Sequence, residues 1–243
     1  MSEPSLQLGN GNWAGKSDNL LAYHKANNNF YADDLTFARA STGTIVNADG
    51  LIEQVPYNLL QYSEQFDNAY WTKSAVTVTS GFTSPDGTAN AFKLVEDTST
   101  ADHRMSTVGN YTSGSHSYSF YVKKAETRYI RINAANTSTY GVSSVFDLVN
   151  KTVVSAVGSA KIETLADGWL RCTVTGATIA SATTIYLGLS NDGTTFVYTG
   201  DGTSGVYIYG AQLNSGSTAK TYYPTTTRLN IPRVDYLNNT NGS

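Results

Sequence analysis

Cys172 is the only cysteine among 243 residues, so no intrachain disulfide can form and the fold must hold by burial and hydrogen bonding. It lies between Leu170 and Val174 with no histidine beside it, a setting that predicts a buried, inert thiol rather than a nucleophile. Charge is scarce: Lys, Arg, Asp and Glu make up 14% of the chain, against about 25% in an ordinary soluble domain. The formal net charge of −3 offers no global positive field to nucleic acid or to an anionic membrane. Proline is limited to five residues, and no run approaches the ~18 apolar residues of a membrane helix. Met1-Ser2-Glu3-Pro4 has neither a basic n-region nor an apolar core, so synthesis in a cytoplasm without a secretory signal is expected. The Ala, Glu, Lys, Leu and Arg surplus of helical bundles is missing as well. No phosphate-cradling glycine motif is present, which excludes nucleotide chemistry.

What is abundant points to β structure. The chain carries 17 tyrosines, 8 phenylalanines and 21 glycines, and hydroxyl and amide side chains fill much of the remainder. Val76-Thr77-Val78-Thr79 alternates with period two, as a half-buried strand should. A strand at Ala91–Glu96 follows the turn Ser84-Pro85-Asp86-Gly87, and Tyr118, Phe120 and Val122 share one face of the next. Segments 128–134, 142–148, 161–165, 169–174, 184–189 and 206–213 continue the series. Asp-Gly pairs at 167–168, 192–193 and 201–202 punctuate it, with glycine supplying the positive φ of a tight turn. Many short strands with regular turn signals predict an all-β, jelly-roll β-sandwich over residues 58–227, with at most one or two helical turns at Ser63–Tyr70.

The flanks read differently. Residues 1–57 hold Asn27-Asn28-Asn29, Asp33-Asp34, a β-turn signal at Asn47-Ala48-Asp49-Gly50, and too few apolar side chains for a core of their own. They are expected to form an extended N-terminal attachment arm that orders against a partner, through Trp13, Leu20, Leu21, Tyr23, Phe30, Tyr31 and Phe37. Residues 228–243 read as an exit linker to further domains.

The signals for chemistry are sparse. His24, His103 and His116 lack the paired spacing of a metal site. Asp102-His103 resembles two members of a catalytic triad, but neighbours in a strand point to opposite faces and cannot make the base–orienter contact. A glycosidase needs two convergent carboxylates, whereas most acids here sit in Asp-Gly turns and Glu64, Glu96, Glu126 and Glu163 are scattered. No enzyme and no cofactor are expected. Asp97, Asp102, Asp192 and Asp201 are candidates for a structural calcium ion, with solvated turn aspartates as the plainer reading. A sugar platform would use exposed rings together with Asn, Gln and Thr. Tyr70, Trp71, Tyr140 and Tyr198 are its candidates, although for any single ring a place in the core is the plainer reading.

Longer strings carry a resemblance. Asn58-Leu59-Leu60-Gln61-Tyr62-Ser63-Glu64-Gln65-Phe66-Asp67-Asn68-Ala69-Tyr70-Trp71-Thr72-Lys73 is one, and Tyr118-Ser119-Phe120-Tyr121-Val122-Lys123 and Gly168-Trp169-Leu170-Arg171 follow it in order. With Val206-Tyr207-Ile208-Tyr209-Gly210-Ala211-Gln212-Leu213 and Tyr222-Tyr223-Pro224-Thr225, the set resembles carbohydrate-binding-module-like jelly-roll domains in virion proteins of tailed bacteriophages. Segment 37–53 is similar to fibre proteins of phages of gut Bacteroides, including crAss-like phages, and Asn230-Ile231-Pro232-Arg233 resembles their linker. The resemblance implies the virion-proximal part of a head or tail fibre, on the exterior of the phage particle and commonly homotrimeric. It implies other virion proteins as partners and no catalytic motif. Tyr209 stands where many relatives carry Trp. Alternatives are a module binding host surface glycan and a polysaccharide depolymerase.

Overall fold

The computed structural model describes residues 58–134 and 143–227 in full, the backbone of Ala135, and the backbone of four short strands nearer the N-terminus. Those strands form two antiparallel pairs. β1 (Ala22–His24) sets Tyr23 opposite Phe30 and Ala22 opposite Tyr31 of β2 (Asn29–Tyr31). β3 (Thr44–Val46) and β4 (Ile52–Gln54) flank the Asn47-Ala48-Asp49-Gly50 signal. Trp13, Leu20, Leu21 and Phe37 lie outside the described residues.

Residues 58–227 form a β-sandwich. Its strands are β5 (Thr72–Ser74), β6 (Val76–Phe82), β7 (Ala91–Glu96), β8 (Thr100–Asp102), β9 (Arg104–Asn110), β10 (Gly114–Lys124) and β11 (Tyr129–Ala135). They continue as β12 (Ser144–Asp147), β13 (Thr152–Ser155), β14 (Ser159–Thr164), β15 (Trp169–Ile179), β16 (Ala182–Ser190), β17 (Val197–Thr199) and β18 (Gly205–Ser215). One six-stranded sheet has the order β14-β15-β10-β18-β7-β6 and the other β13-β12-β11-β16-β9-β5. The chain passes back and forth between the two sheets, as in a jelly roll. β8 and β17 pair separately at one end.

The period-two pattern assigns each side chain to a face. Leu94, Phe120, Val122, Cys172, Val206 and Ile208 from one sheet meet Met105, Ile130, Ile132, Phe146, Ile185 and Leu187 from the other in a single apolar core. The Cys172 thiol is fully enclosed, and burial pushes it well above its ordinary pKa, as an inert thiol should be. In β18 the inward set switches from Val206 and Ile208 to Ala211 and Leu213 because the register against β10 shifts between Ser119 and Tyr121. Gly210 sits at that shift with φ 55°, and a Cβ there would stand 2.9 Å from Tyr121 Cδ2 and 3.0 Å from Tyr222 Cζ. Glycine is therefore required on both counts.

No helix forms at Ser63–Tyr70. Successive turns replace it, with Gln65 N donating to Tyr62 O, Asn68 N to Gln65 O and Trp71 N to Asn68 O, each at 3.1 Å. The Asn68 carboxamide takes the Tyr70 amide at 2.9 Å, a local bond that competes with helix formation.

The start and end of the sandwich are joined by buried side chains. Asn58 is fully enclosed. Its Nδ2 donates to Ala211 O at 2.7 Å and to Tyr223 O at 3.0 Å, and its Oδ1 accepts from Leu60 N and Leu213 N, both at 3.0 Å. Ser63 adds a second tie: its Oγ accepts from Thr225 N at 2.8 Å while its carbonyl accepts from Ala211 N at 3.0 Å. Replacing Asn58 by Leu leaves four backbone groups without their partner inside the protein, at about 1–3 kcal/mol for each group that water cannot reach. Asn58→Leu is expected to lower unfolding stability by at least about 3 kcal/mol in a urea titration. A loss under about 1 kcal/mol contradicts this account of Asn58.

Candidate functional site

At one end of the sandwich, the connections after β7, between β10 and β11, and between β16 and β18 surround a polar cleft of about 310 Å³. Glu96, the last residue of β7, forms part of its wall and is only 6% exposed. Its Oε2 accepts the Tyr198 hydroxyl at 2.5 Å and its Oε1 accepts Asp201 N at 3.0 Å. Tyr198 lies in β17, and its ring leans on His103 with centroids 4.7 Å apart. His103 is itself fully buried, with Nδ1 2.8 Å from Ala75 O and Nε2 3.0 Å from Tyr198 O. The ring and the carboxylate are thus fixed from behind. Burial, then the neighbouring Glu96, pushes the Tyr198 phenol far above its ordinary pKa, so it remains a hydrogen-bond donor.

The loop between β17 and β18 is built by turn chemistry. Asp201 Oδ1 accepts from Thr203 N and Ser204 N, both at 2.7 Å, and Oδ2 accepts from Ser204 Oγ at 2.6 Å. These bonds, those from Ser204 foremost, hold the carboxyl far below the usual carboxylate range. Gly200 precedes this turn, and a Cβ there would come within 2.0 Å of Asp97 O, so only glycine fits the close approach. Opposite, Arg128 clamps Asp147 with its Nε 3.1 Å from both carboxylate oxygens and one terminal nitrogen 2.6 Å from Oδ2. Its guanidinium carbon lies 4.9 Å from the centre of the Tyr129 ring. That clamp holds Asp147 down to about 2.

A second cleft of about 410 Å³ opens beside Glu64, Gln65, Asn68, Asn90 and Phe92. At its side the Tyr209 hydroxyl lies 2.7 Å from Glu64 Oε1 and 3.0 Å from Asp86 Oδ2, so one phenol reaches two carboxylates. Burial opposes ionisation of Asp86. Hydrogen bonds from Ser84, Thr88 and Tyr209 outweigh it and hold the carboxyl far below the usual range.

Of the four predicted ring contacts, Tyr198 lines the end cleft. Trp71 is a core residue: it is 1% exposed, its Nε1 donates to Tyr62 O at 2.9 Å, and its ring packs on Phe66 and Phe120. No face of it is open to a sugar. Tyr70 is half-buried against Trp71 and Tyr62, and Tyr140 lies outside the described residues. Of these, the three described rings do not share one platform: Tyr70 and Trp71 pack together and Tyr198 lines the end cleft. Tyr209 is likewise enclosed, at 6% exposure, with its hydroxyl tied to acids. Asp102 and His103 diverge as strand geometry requires: Asp102 binds Arg104 and Arg131, whereas His103 turns to backbone carbonyls. Among the described residues, no group of three or more His, Cys, Asp or Glu side chains is placed to hold a metal ion. No described helix is long and apolar enough to cross a membrane.

Sequence reasoning missed Thr127, Arg128 and Asn191 in the end cleft, met Glu96 and Glu126 only as scattered acids, and met Asp201 as a turn aspartate and calcium candidate. The one local signal was the run Tyr198-Thr199-Gly200-Asp201-Gly202, a ring held beside two glycines and a turn aspartate.

No family model matches this chain, and no curated protein matches it. Solved structures do. The enzymatically active domain of tailspike protein 4 of bacteriophage CBA120 aligns at 15% identity and a TM-score of 0.41, over 65% of this chain and 21% of that one. The carbohydrate-binding module TmCBM61, solved with β-1,4-galactotriose, aligns at 12% identity and a TM-score of 0.39, over 65% of this chain and 97% of the module. A family 43 arabinoxylan arabinofuranohydrolase from Bacillus subtilis, in complex with cellotetraose, aligns at 16% identity and a TM-score of 0.33, over 72% and 33%. The chain therefore spans about a fifth of the tailspike domain and a third of the hydrolase. Likenesses of this grade assign no family and no activity.

The Arg128–Asp147 clamp carries a pH signature. The Asp147 pKa is depressed on folding from 3.8 to about 2, so its stabilisation is complete above the unfolded value and disappears as pH falls through about 2. The stability gap between the wild type and Asp147→Asn is expected to narrow by roughly 1–2 kcal/mol between about pH 5 and about pH 2. Chemical unfolding at the two pH values measures it, and a constant gap contradicts the assignment.

Proposed function

We propose that this chain is a bacteriophage virion protein, the virion-proximal part of a head or tail fibre, whose jelly roll carries a glycan-binding cleft at the end built by Glu96, Tyr198 and Asp201. The observation that carries the binding reading is the cleft itself. Its volume of about 310 Å³ is at the lower limit of ordinary small-molecule sites. Its walls present ionised acceptors, hydroxyls, the Asn191 amide and one tyrosine, which are the groups that hydrogen-bond sugar hydroxyls. The ring and the carboxylate are locked from behind by His103 and the Asp201 turn, so little side-chain freedom is lost on binding. The virion reading rests on the resemblance of the 37–53, 58–73 and 206–225 strings to phage fibre sequences. In this reading residues 1–57 fasten the chain to capsid or tail proteins, the assembly is a homotrimer, and the sandwich faces outward on the particle.

A panel of oligosaccharides titrated into the full chain tests the cleft. Asn191→Ala removes an exposed amide from the wall without touching the core, and it is expected to weaken binding about 5- to 10-fold, the loss of one hydrogen bond. Retention of full affinity by this variant and by Tyr198→Phe contradicts the site. For the arm, deletion of residues 1–57 is expected to leave the sandwich folded by circular dichroism and absent from purified particles. Incorporation of the shortened chain contradicts the attachment role.

A further inference from the structure

Part of the end cleft is carried by a ribbon too small to hold its own shape. β8 and β17 have three residues each and form a two-stranded sheet, with Val197 opposite Asp102 and Tyr198 opposite Ala101. Isolated two-stranded ribbons are marginal in water. Yet Tyr198 and Thr199 of β17, and Asn191 of the loop that leads into it, line the cleft. His103 and Glu96 hold Tyr198 from the inside.

A second hold comes from the outer face of the neighbouring sheet. Arg131 of β11 stands between the core residues Ile130 and Ile132 and so points away from the core, but its side chain is only 2% exposed. One of its terminal nitrogens binds Asp102 Oδ1, at the end of β8. Its guanidinium carbon lies 4.3 Å from the centre of the Phe196 ring, on the residue just before β17, and 4.9 Å from that of Tyr186. One cation thus grips β8 by charge and the approach to β17 by a ring face. Gly188, its register partner on β16, leaves room for it: a Cβ there would stand 2.8 Å from Arg131 Nε and 3.3 Å from its Cγ. Glycine inside a strand often marks such a close approach.

We infer that Arg131 is a positioning residue of the end cleft: through Asp102 and Phe196 it fixes the β8–β17 ribbon, and with it Tyr198 and Asn191, in the arrangement that receives a ligand. Neither Arg131 nor Phe196 lines the cleft, so any influence on binding passes through the ribbon. A guanidinium withdrawn from water makes a stronger cation–π contact than an exposed one. Its planar fork serves a ring face and a carboxylate together. The effect on binding rests on the saccharide reading of the cleft; the effect on the ribbon does not.

The test replaces Phe196, a partly buried loop residue, in the full chain. Amide hydrogen exchange followed by NMR reads the opening of residues 193–199. Calorimetric titration with β-1,4-linked trimers of glucose, galactose and N-acetylglucosamine reads the cleft. Phe196→Leu removes the ring and keeps an apolar side chain. It is expected to speed exchange across 193–199 about 5- to 10-fold, the loss of one desolvated cation–π contact, while amides of β10 and β15 stay within about twofold. Whichever trimer binds is expected to lose about 3- to 10-fold in affinity as the wall loses its preorganisation. Phe196→Tyr keeps a ring on the guanidinium and is expected to bring both readings back to within about twofold of the wild type. Arg131→Met, in which Arg104 still pairs with Asp102 at 2.5 Å, is expected to reproduce both effects. Unchanged exchange across 193–199 in Phe196→Leu and Arg131→Met overturns the inference, as does exchange that quickens equally in every strand. Faster exchange of the ribbon with full affinity overturns the positioning role and leaves a saccharide site standing. If the wild type binds none of the trimers, the saccharide reading loses its support and the exchange rates alone decide the anchor.

Discussion

Three hydrogen bonds on the enclosed Asn58 carboxamide, two given and one received, hold the first residues of the sandwich to its last strand and to the segment that follows it, and a fourth from Leu60 N fixes the carboxamide locally. With no disulfide available, closure of the fold depends on such ties. Asn58 reaches residues 153 to 165 positions away, and Ser63 repeats the connection to Thr225. The bulge at Gly210 makes this geometry possible. It returns Ala211 and Leu213 to the core side and places the Ala211 carbonyl and amide where Asn58 and Ser63 reach them. The two sheets are then free to bury their inner faces against one another.

The same economy of polar contacts builds the end cleft. His103, enclosed between the Ala75 and Tyr198 carbonyls, supports the ring of Tyr198, and Tyr198 in turn donates to Glu96. Glu96 then receives the Asp201 amide and anchors the long loop to the end of β7. Each link is a buried or half-buried polar group satisfied by the next, so the acceptors of the wall are set before any ligand arrives. The aromatic cluster of Tyr121, Tyr209 and Tyr222 serves the fold differently, as rings packed 5.4–5.7 Å apart on the outer face of a sheet, with the hydroxyls of Tyr209 and Tyr222 tied to Glu64.

Much of the sandwich was legible because its strands alternate. Ala91–Glu96 matches β7 residue for residue, and the 118–122 and 206–213 segments fall within β10 and β18. β9 escaped notice because Met105, Ser106 and Thr107 are buried in succession and Gly109-Asn110 looks like a loop. β13 is a short edge strand, largely exposed, with Val153 alone packed against the core to mark it. The helix expected at Ser63–Tyr70 gave way to turns because Asn68 bonds its own neighbourhood. The site was legible only at Tyr198. Glu96 gives no local sign of its role, since its partners stand 102 and 105 residues away in sequence. Trp71 drew attention as a ring that could stack on a sugar, and the same large apolar ring packs in the core.

The claim on which this account turns is that the end cleft, rather than the outer face of a sheet, is where a saccharide binds. A crystal structure of the full chain soaked with a sugar that it binds in solution decides it. The account predicts density for the sugar between Tyr198, Glu126 and Asn191. A sugar seated instead on Tyr121 and Tyr207, with the cleft holding only solvent, contradicts it.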